Sequence, residues 1–190
     1  MGPSFGNKRD HKAFNEHDVY ETPPVAVQAL LECEALPKRI WEPCCGPGNI
    51  VKHLRSLNYD VQASDIVDYG CPDSFLGDFL DGNTIPPNPF DAIITNPPFK
   101  ISDDIVRRAL TLCDKVYILQ RLLFLEGVKR SDIIDTHLRK VHLFKRRLPM
   151  MHRYGYKGPK STSQVPYAWF VFDRRAKNLP ITLKRIDYSK

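Results

Sequence analysis

This chain lacks the features that mark secreted, metal-binding and membrane proteins. Its five cysteines are an odd number without C-x-x-C spacing, which argues against a disulfide framework or a zinc ribbon. Its six histidines have no metal-ligand spacing. No apolar run has membrane length, and no signal peptide is present. We therefore expect a soluble, cytoplasmic protein that needs neither a metal nor a membrane.

The composition is that of an ordinary globular protein, but its charge is divided unevenly. Residues 1–120 contain 11 Lys and Arg against 17 Asp and Glu, a net charge of −6. Residues 121–190 contain 17 against 5, a net charge of +12. Such a basic region is typical of proteins that bind a polyanion, although many solvated surfaces are also basic.

The chain is predicted to contain one domain. Residues 1–17 have no periodicity and are expected to form a flexible arm, so the domain spans residues 18–190. Strands are predicted at residues 39–43, 59–66, 74–79, 90–95, 115–119 and 166–172, and helices at 25–32, 49–57, 102–113 and 131–141. Thr22 and Asn49 are predicted to cap the first two helices. This alternation favours an α/β fold with a mainly parallel sheet covered on both faces.

The most informative motif is Asn96-Pro97-Pro98-Phe99, which follows the apolar run at 90–95. Two prolines end a strand abruptly, because they donate no hydrogen bond and fix the backbone. The side-chain oxygen of Asn96 and the carbonyl of Pro97 can accept from an exocyclic amino group, and Phe99 can stack on a planar base. The motif therefore indicates a site for an amino-bearing base, with a simple Pro-Pro turn as the alternative.

A glycine-rich turn follows the first predicted strand, at residues 42–48. Gly46 and Gly48 allow a ligand close to the backbone, and ligands of open α/β sheets bind at this end of the strands. A dinucleotide fingerprint would need glycine where the chain has Val51. Glu42 disfavours a pyrophosphate and favours a ligand with a positive amino or sulfonium group.

Two aspartates follow the next predicted strands. Asp65 ends the second strand, 17 residues after Gly48, at a separation suited to binding ribose hydroxyls. Asp78 follows the third and can accept from an adenine amino group, with an ordinary solvated aspartate as the alternative. Cys44 and Cys45 are interpreted as small packing residues rather than nucleophiles.

Taken together, these motifs resemble those of the S-adenosylmethionine-dependent adenine-N6 DNA methyltransferases of phage and bacteria. The resemblance spans about residues 18–175 and rests on the order of the segments 20–24, 42–48, 65–66, 77–79, 96–99 and 120–127. It implies a Rossmann-like class I methyltransferase fold, with a seven-stranded, mostly parallel sheet and helices on both faces. It also implies that the last strand, for which residues 167–172 are the candidate, is inserted antiparallel.

The resemblance also implies S-adenosyl-L-methionine as cofactor and assigns roles to residues. The catalytic residues would be Asn96, Pro97, Pro98 and Phe99. The cofactor-binding residues would be Tyr20, Thr22, Pro23, Glu42, Pro43, Gly46, Gly48, Asp65, Ile66, Asp78, Phe79 and Asn96.

Nucleic acid, most of all DNA, is the expected partner, in a bacterial or phage-infected cell. The predicted contacts share the basic region and its aromatic residues: Arg146, Arg147, Arg153, Tyr154, Tyr156, Lys157 and Lys160. The chain departs from the restriction-type enzymes in having no separate target-recognition domain. Three alternatives remain: adenine methylation in structured RNA, methylation of a protein glutamine, and a nucleic-acid-binding module with a vestigial cofactor site.

Overall fold

A computed structural model describes residues 19–149 and 162–189. In chain order the strands of these residues are β1 (Arg39–Glu42), β2 (Asp60–Asp65), β3 (Ser74–Leu76), β4 (Ala92–Thr95), β5 (Lys115–Arg121), β6 (Leu138–Phe144), β7 (Tyr167–Asp173) and β8 (Thr182–Ile186). The α-helices are α1 (Pro24–Leu31), α2 (Asn49–Ser56), α3 (Ser102–Leu112) and α4 (Ser131–His137). The predicted arm at residues 1–17 lies outside the described residues.

All eight strands form one sheet in the order β3-β2-β1-β4-β5-β7-β6-β8. Strands β1 to β5 pair in parallel, and β7 lies antiparallel between β5 and β6. The predicted α/β fold and the antiparallel insertion of residues 167–172 are therefore confirmed. The strand order reverses between β1 and β4, where open α/β sheets bind ligands.

Two expectations about the sheet were wrong. It has eight strands instead of seven, because β8 pairs in parallel with β6 at the edge. The helix predicted at 131–141 ends at His137, and β6 begins at the next residue. Arg139 makes this segment resemble an amphipathic helix, but its guanidinium is buried and donates to the carbonyls of Ala176, Leu179 and Pro180. Only this distant segment makes a buried arginine compatible with a strand.

The two predicted helix caps were also wrong. The residue that caps α1 is Pro23, and the hydroxyl of Thr22 accepts a hydrogen bond from the side chain of Asn96 instead. The residue that caps α2 is Gly48, with φ of 82°, and Asn49 is the first helical residue. Both N-termini lie beside the loops at the carboxyl end of the sheet, where Thr22 and Asn49 line a cavity.

Helices cover both faces of the sheet, as predicted. One hydrophobic cluster joins α1 and α2 to one face, and a second joins α3 and α4 to the other. The alternation of a strand explains the division, since Ile94 packs in the first cluster and its neighbour Ile93 in the second. Within the described ranges, no helix has the length and apolar character needed to cross a bilayer.

Candidate active site

A cavity of about 650 Å³ opens at the carboxyl edge of the sheet, which is a typical size for a small-molecule site. Most of the predicted site residues line it: Tyr20, Thr22, Glu42, Pro43, Gly46, Asp65, Ile66, Asp78, Phe79, Asn96, Pro98 and Phe99. Pro23, Gly48 and Pro97 are buried and do not form its wall. The fold therefore brings the glycine-rich turn and the Pro-Pro turn to one cavity.

Asn96 is held in a defined orientation where β4 ends. Its amide nitrogen donates to the carbonyl of Tyr20 at 3.3 Å and to the hydroxyl of Thr22 at 3.0 Å. Both amide hydrogens are thus used by the segment that leads into α1. The amide oxygen has no donor among the residues that the structure describes, so it remains an acceptor for a ligand.

The carbonyl of Pro97 is also fixed, by a residue that the sequence interpretation did not assign to the site. Gln120 is buried in β5 and donates its side-chain N–H to this carbonyl at 3.3 Å. The side-chain oxygen of Gln120 accepts from the backbone N–H of Arg121 at 3.1 Å. A carbonyl oxygen has two lone pairs, so this bond leaves Pro97 able to accept a second hydrogen bond.

The two glycines of the turn after β1 have different roles. Gly46 has φ of 51°, lines the cavity and donates its N–H to Asp65 at 2.8 Å. Gly48 has φ of 82°, and a Cβ there would lie 2.5 Å from the sulfur of Cys71. Gly46 therefore belongs to the ligand cavity, whereas Gly48 permits close packing behind it.

Asp65 has a structural task as well as a place in the cavity. One carboxylate oxygen accepts from Gly46, and the other accepts from the backbone N–H of Ile66 at 2.8 Å. The carboxylate therefore ties the turn after β1 to the end of β2. The second oxygen also accepts from the backbone N–H of Val67 at 3.4 Å, and the carboxylate forms part of the cavity wall.

Glu42 is a buried acidic residue of the cavity whose carboxyl is only partly satisfied. It is 2% exposed, and one of its carboxylate oxygens has no hydrogen-bond partner. Burial, together with the nearby Cys71 and Asp65, holds the pKa of the Glu42 carboxyl well above its ordinary value. A positively charged ligand group beside it would supply the missing partner.

The wall at the end of β3 is largely apolar. Phe79 packs edge-on against Trp41 with ring centroids 5.0 Å apart, and Ile66 is 54% exposed. Asp78 is exposed and accepts from the backbone of Leu80 at 2.9 Å. Apolar side chains with a carboxylate at the rim are suited to a planar heterocycle that carries an amino group.

Phe99 lies half-buried among aromatic and cationic side chains. Its ring centroid is 5.3 Å from that of Tyr20 and 6.1 Å from that of Tyr167. The guanidinium carbon of Arg121 lies 3.8 Å from the same centroid. Arg121 and Gln120 follow each other at the end of β5, and a polar pair after a buried apolar run is the signal that could have identified them.

The two cysteines of the glycine-rich turn are suited to packing. Cys45 is buried, and burial raises the pKa of the Cys44 thiol, so neither is suited to nucleophilic attack. No group of three or more His, Cys, Asp or Glu is placed to hold a metal ion in residues 19–149 and 162–189.

The predicted nucleic-acid contacts are described only in part. Arg146 and Arg147 are exposed after β6, and Arg146 pairs with Asp187 at 3.2 Å. Arg153, Tyr154, Tyr156, Lys157 and Lys160 lie outside the described residues.

The fold is similar to those of solved methyltransferases. A protein of Pyrococcus horikoshii proposed to be an RNA methyltransferase, PH1948, has a TM-score of 0.59 at 15% identity over 87% of this chain and 90% of its own. A dimethyladenosine transferase from Plasmodium falciparum has a TM-score of 0.52 at 17% identity over 82% and 62%. A modification subunit of a proposed type I restriction enzyme from Vibrio vulnificus has 0.52 at 12% over 93% and 48%.

The chain thus spans about half of the Vibrio subunit and nearly all of PH1948. No family model matches the chain, and no curated protein matches its sequence. The similarity of structure is one of fold, and it agrees with the sheet order and with the position of the cavity. This chain has the Rossmann-like fold of class I methyltransferases.

Proposed function

We propose that this protein transfers a methyl group from S-adenosyl-L-methionine to the exocyclic N6 of adenine in DNA. One observation supports this above all. Asn96 lines the same cavity as Glu42 and Asp65, and its amide nitrogen is bound by Tyr20 and Thr22, so its oxygen is left as an acceptor. Acceptors for an amine and groups for a cationic, ribose-bearing cofactor thus meet in one place.

The residues of the cavity fit S-adenosylmethionine. Glu42 is a buried carboxylate with an unpartnered oxygen, which suits the positive amino group of the methionine part. Asp65 is a carboxylate in the cavity wall, which suits the ribose hydroxyls, and Ile66, Phe79 and Asp78 suit the adenine. When bound, the cofactor supplies a methyl group activated by a positively charged sulfur.

Asn96 and Pro97 would promote attack by the adenine nitrogen. The lone pair of this nitrogen is delocalised into the ring, which makes it a weak nucleophile. Accepting one N–H bond on the Asn96 oxygen stabilises the positive charge that develops as the nitrogen–carbon bond forms and the carbon–sulfur bond breaks. Because Pro97 is buried outside the cavity wall, its carbonyl would accept the second N–H bond only after the entering base has opened this turn. Gln120 contributes by fixing the carbonyl. The methylated nitrogen then loses a proton to solvent, so no strong base is required.

An adenine within a duplex must leave the base stack to reach this cavity. Phe99 is half-buried in the cavity wall and would replace part of the lost stacking. The basic region from residue 121 onward would bind the backbone, with the predicted contacts at Arg146 and Arg147 and within 153–160. We also infer that residues 18–190 act as one domain.

Adenine in structured RNA is the second candidate substrate. The similarity of fold to PH1948, which is proposed to be an RNA methyltransferase, favours it. The same acceptor pair would serve either nucleic acid, because both present the same exocyclic amino group.

Radiolabelled S-adenosylmethionine offered to duplex DNA, single-stranded DNA, RNA and protein tests the proposal. We expect label in DNA, recovered as N6-methyladenine after digestion to nucleosides. Label in RNA alone would select the second candidate, and label in a protein glutamine would reject both. Failure to bind the cofactor, measured by calorimetry, would indicate a vestigial site.

A further inference from the structure

Arg121 is a cation inside the cavity that the mechanism above does not use. It is the last residue of β5, and it lines the cavity together with Lys100, which directly follows Phe99. The acidic side chains Glu42, Asp65 and Asp78 line the part of the cavity formed after β1, β2 and β3. The cavity lining therefore contains charges of both signs, including Glu21 between the two residues that bind Asn96.

The guanidinium of Arg121 has no anionic partner. The side chain is half-buried, its Nε is buried without a hydrogen-bond acceptor, and within residues 19–149 and 162–189 it forms no ion pair. Its one described contact is the face of Phe99 at 3.8 Å. An arginine that is partly removed from water and lacks an acceptor is poised for an anionic ligand.

Two other arginines of the described residues also lie over a phenylalanine and leave a buried Nε without an acceptor, but unlike Arg121 both use their terminal nitrogens. Arg130 also lies over a phenylalanine, Phe124, but donates to the carbonyl of Glu126. Arg108 lies over Phe79 and donates to the carbonyls of Gly82 and Thr84. Stacking on a ring therefore does not itself leave a guanidinium without acceptors in this fold.

The neighbours of Arg121 are the residues that would hold the target base. Its backbone N–H is bound by Gln120, which also binds the Pro97 carbonyl, and its guanidinium lies against Phe99. A base and a guanidinium that touch the same ring are separated by about the size of that ring. The distance from a base to the phosphates of its own nucleotide is of similar size.

We propose that Arg121 binds a backbone phosphate adjacent to the target adenine. The planar guanidinium donates two hydrogen bonds to phosphate oxygens, which fixes the sugar-phosphate backbone at the mouth of the cavity while Phe99 contacts the base. This inference rests on the proposed function and adds that the substrate must be a nucleotide within a phosphodiester chain. A free nucleoside or a glutamine side chain would not satisfy Arg121.

The test removes the positive charge and the phosphate charge separately. The substrate is an oligonucleotide whose methylated adenine has been mapped, made with the natural backbone or with one neutral methylphosphonate immediately 5′ or 3′ to that adenine. We expect Arg121→Gln to lower kcat/KM on the natural substrate by about ten- to a hundredfold, as expected for a lost charge-assisted hydrogen bond. We expect the methylphosphonate at one of the two positions to cause a similar loss in the wild type and little further loss in Arg121→Gln.

Arg175→Gln is the matched control. Arg175 is 81% exposed at the opposite edge of the sheet, where it pairs with Asp114 at 2.5 Å. This variant removes the same charge, and we expect it to leave kcat/KM unchanged. Arg121→Lys, which keeps the charge but not the planar fork, should recover part of the loss.

Two results would overturn the inference about Arg121. An equal loss from Arg121→Gln on the natural backbone and on both methylphosphonates would mean that Arg121 contacts neither phosphate and only supports Phe99. Weaker binding of S-adenosylmethionine by Arg121→Gln, measured by calorimetry, would assign the side chain to the cofactor carboxylate. Failure of the wild type to methylate any adenine would instead reject the proposed function itself.

Discussion

Charged side chains at the amino edge of the sheet and those in the cavity at its carboxyl edge differ in whether they have partners. At the amino edge, charged side chains are paired: Arg39 with Asp91 at 2.6 Å, Lys115 with Asp173 at 2.6 Å, and Arg174 with Asp114 at 2.7 Å. At the carboxyl edge, Glu42 and Arg121 each have a buried polar atom without a partner.

This difference separates structural charges from functional ones. An exposed ion pair is screened by water and contributes little to folding or to binding. A buried charge without a partner costs stability, and a fold retains it where a ligand supplies the missing interaction. The contrast agrees with a ligand site proposed for this cavity, and buried atoms without a partner also occur outside it, as at His53 and Arg108.

Asn96→Ala should have the largest effect. Loss of one preorganised group that stabilises the transition state lowers kcat by about a hundred- to a thousandfold. We expect cofactor affinity to change much less, as measured by calorimetry beside the methyl-transfer rate. Asn83→Ala is the control, since Asn83 is exposed and bonded to Asp81. A loss of cofactor affinity equal to the loss of rate would make Asn96 a structural residue.

Glu42→Gln should change cofactor affinity and the free energy of unfolding in opposite directions. The lost charge-assisted hydrogen bond should weaken binding of S-adenosylmethionine by about tenfold or more. The same substitution removes a buried carboxylate, so the ligand-free protein should gain about 1 kcal/mol in its free energy of unfolding at neutral pH, measured with urea. A variant that is destabilised and still binds the cofactor normally would contradict both expectations.

The pH dependence of cofactor binding is a second test of the role of Glu42. Because its pKa is raised in the ligand-free protein, the carboxyl is protonated over a range above its ordinary value and must lose this proton to pair with a cation. Cofactor affinity should therefore rise with pH through this range and reach a plateau above the raised pKa. Calorimetry in buffers of different ionisation heat should detect the released proton, and Glu42→Gln should abolish the dependence.

Gly48→Ala should destabilise the protein by about 1–3 kcal/mol, measured by urea unfolding. A Cβ at this position meets the sulfur of Cys71 at 2.5 Å, in addition to the strain of φ at 82°. Gly70→Ala is the matched control, because Gly70 has φ of 76° but no atom within 4 Å of such a Cβ. Equal losses in the two variants would assign the whole effect to backbone conformation.

The smallest effect is expected at the amino edge. Asp114→Asn removes the partner of Arg174 and Arg175, and the free energy of unfolding should fall by less than about 1 kcal/mol. Methyl transfer should not change, since this edge lies opposite the cavity. A loss of activity comparable to that of Glu42→Gln would remove the distinction between the two edges.

The sequence predicted the parts of the fold that follow from short-range rules. Six of the strands were located from the sequence, and β4, β5 and β7 stand out as apolar runs because a strand buried on both faces must be apolar along its length. The prolines at 97 and 98 located the end of β4, since proline cannot continue a strand. The polar strand β6 was mistaken for part of a helix, because Arg139 is satisfied by carbonyls about 40 residues away.

Most residues that line the candidate site could be predicted from the sequence, but the hydrogen bonds and contacts between them could not. Residues at the ends of parallel strands meet at one edge, so Glu42, Asp65 and Asn96 could be grouped from their positions alone. The role of Thr22 as an acceptor for Asn96 depends on a contact between residues 74 positions apart. Gln120 and Arg121 acquire their roles in the same way, through the pairing of β5 beside β4.

The amino-acid sequence by itself determined where the chain bends, which runs are buried and which chemical groups end each strand, because these properties depend on neighbouring residues. The tertiary structure decided which of those groups have partners. A charged side chain is satisfied or left unpaired by atoms that arrive from distant parts of the chain, and only the folded sheet distinguishes the unpaired Arg121 from the paired Arg175.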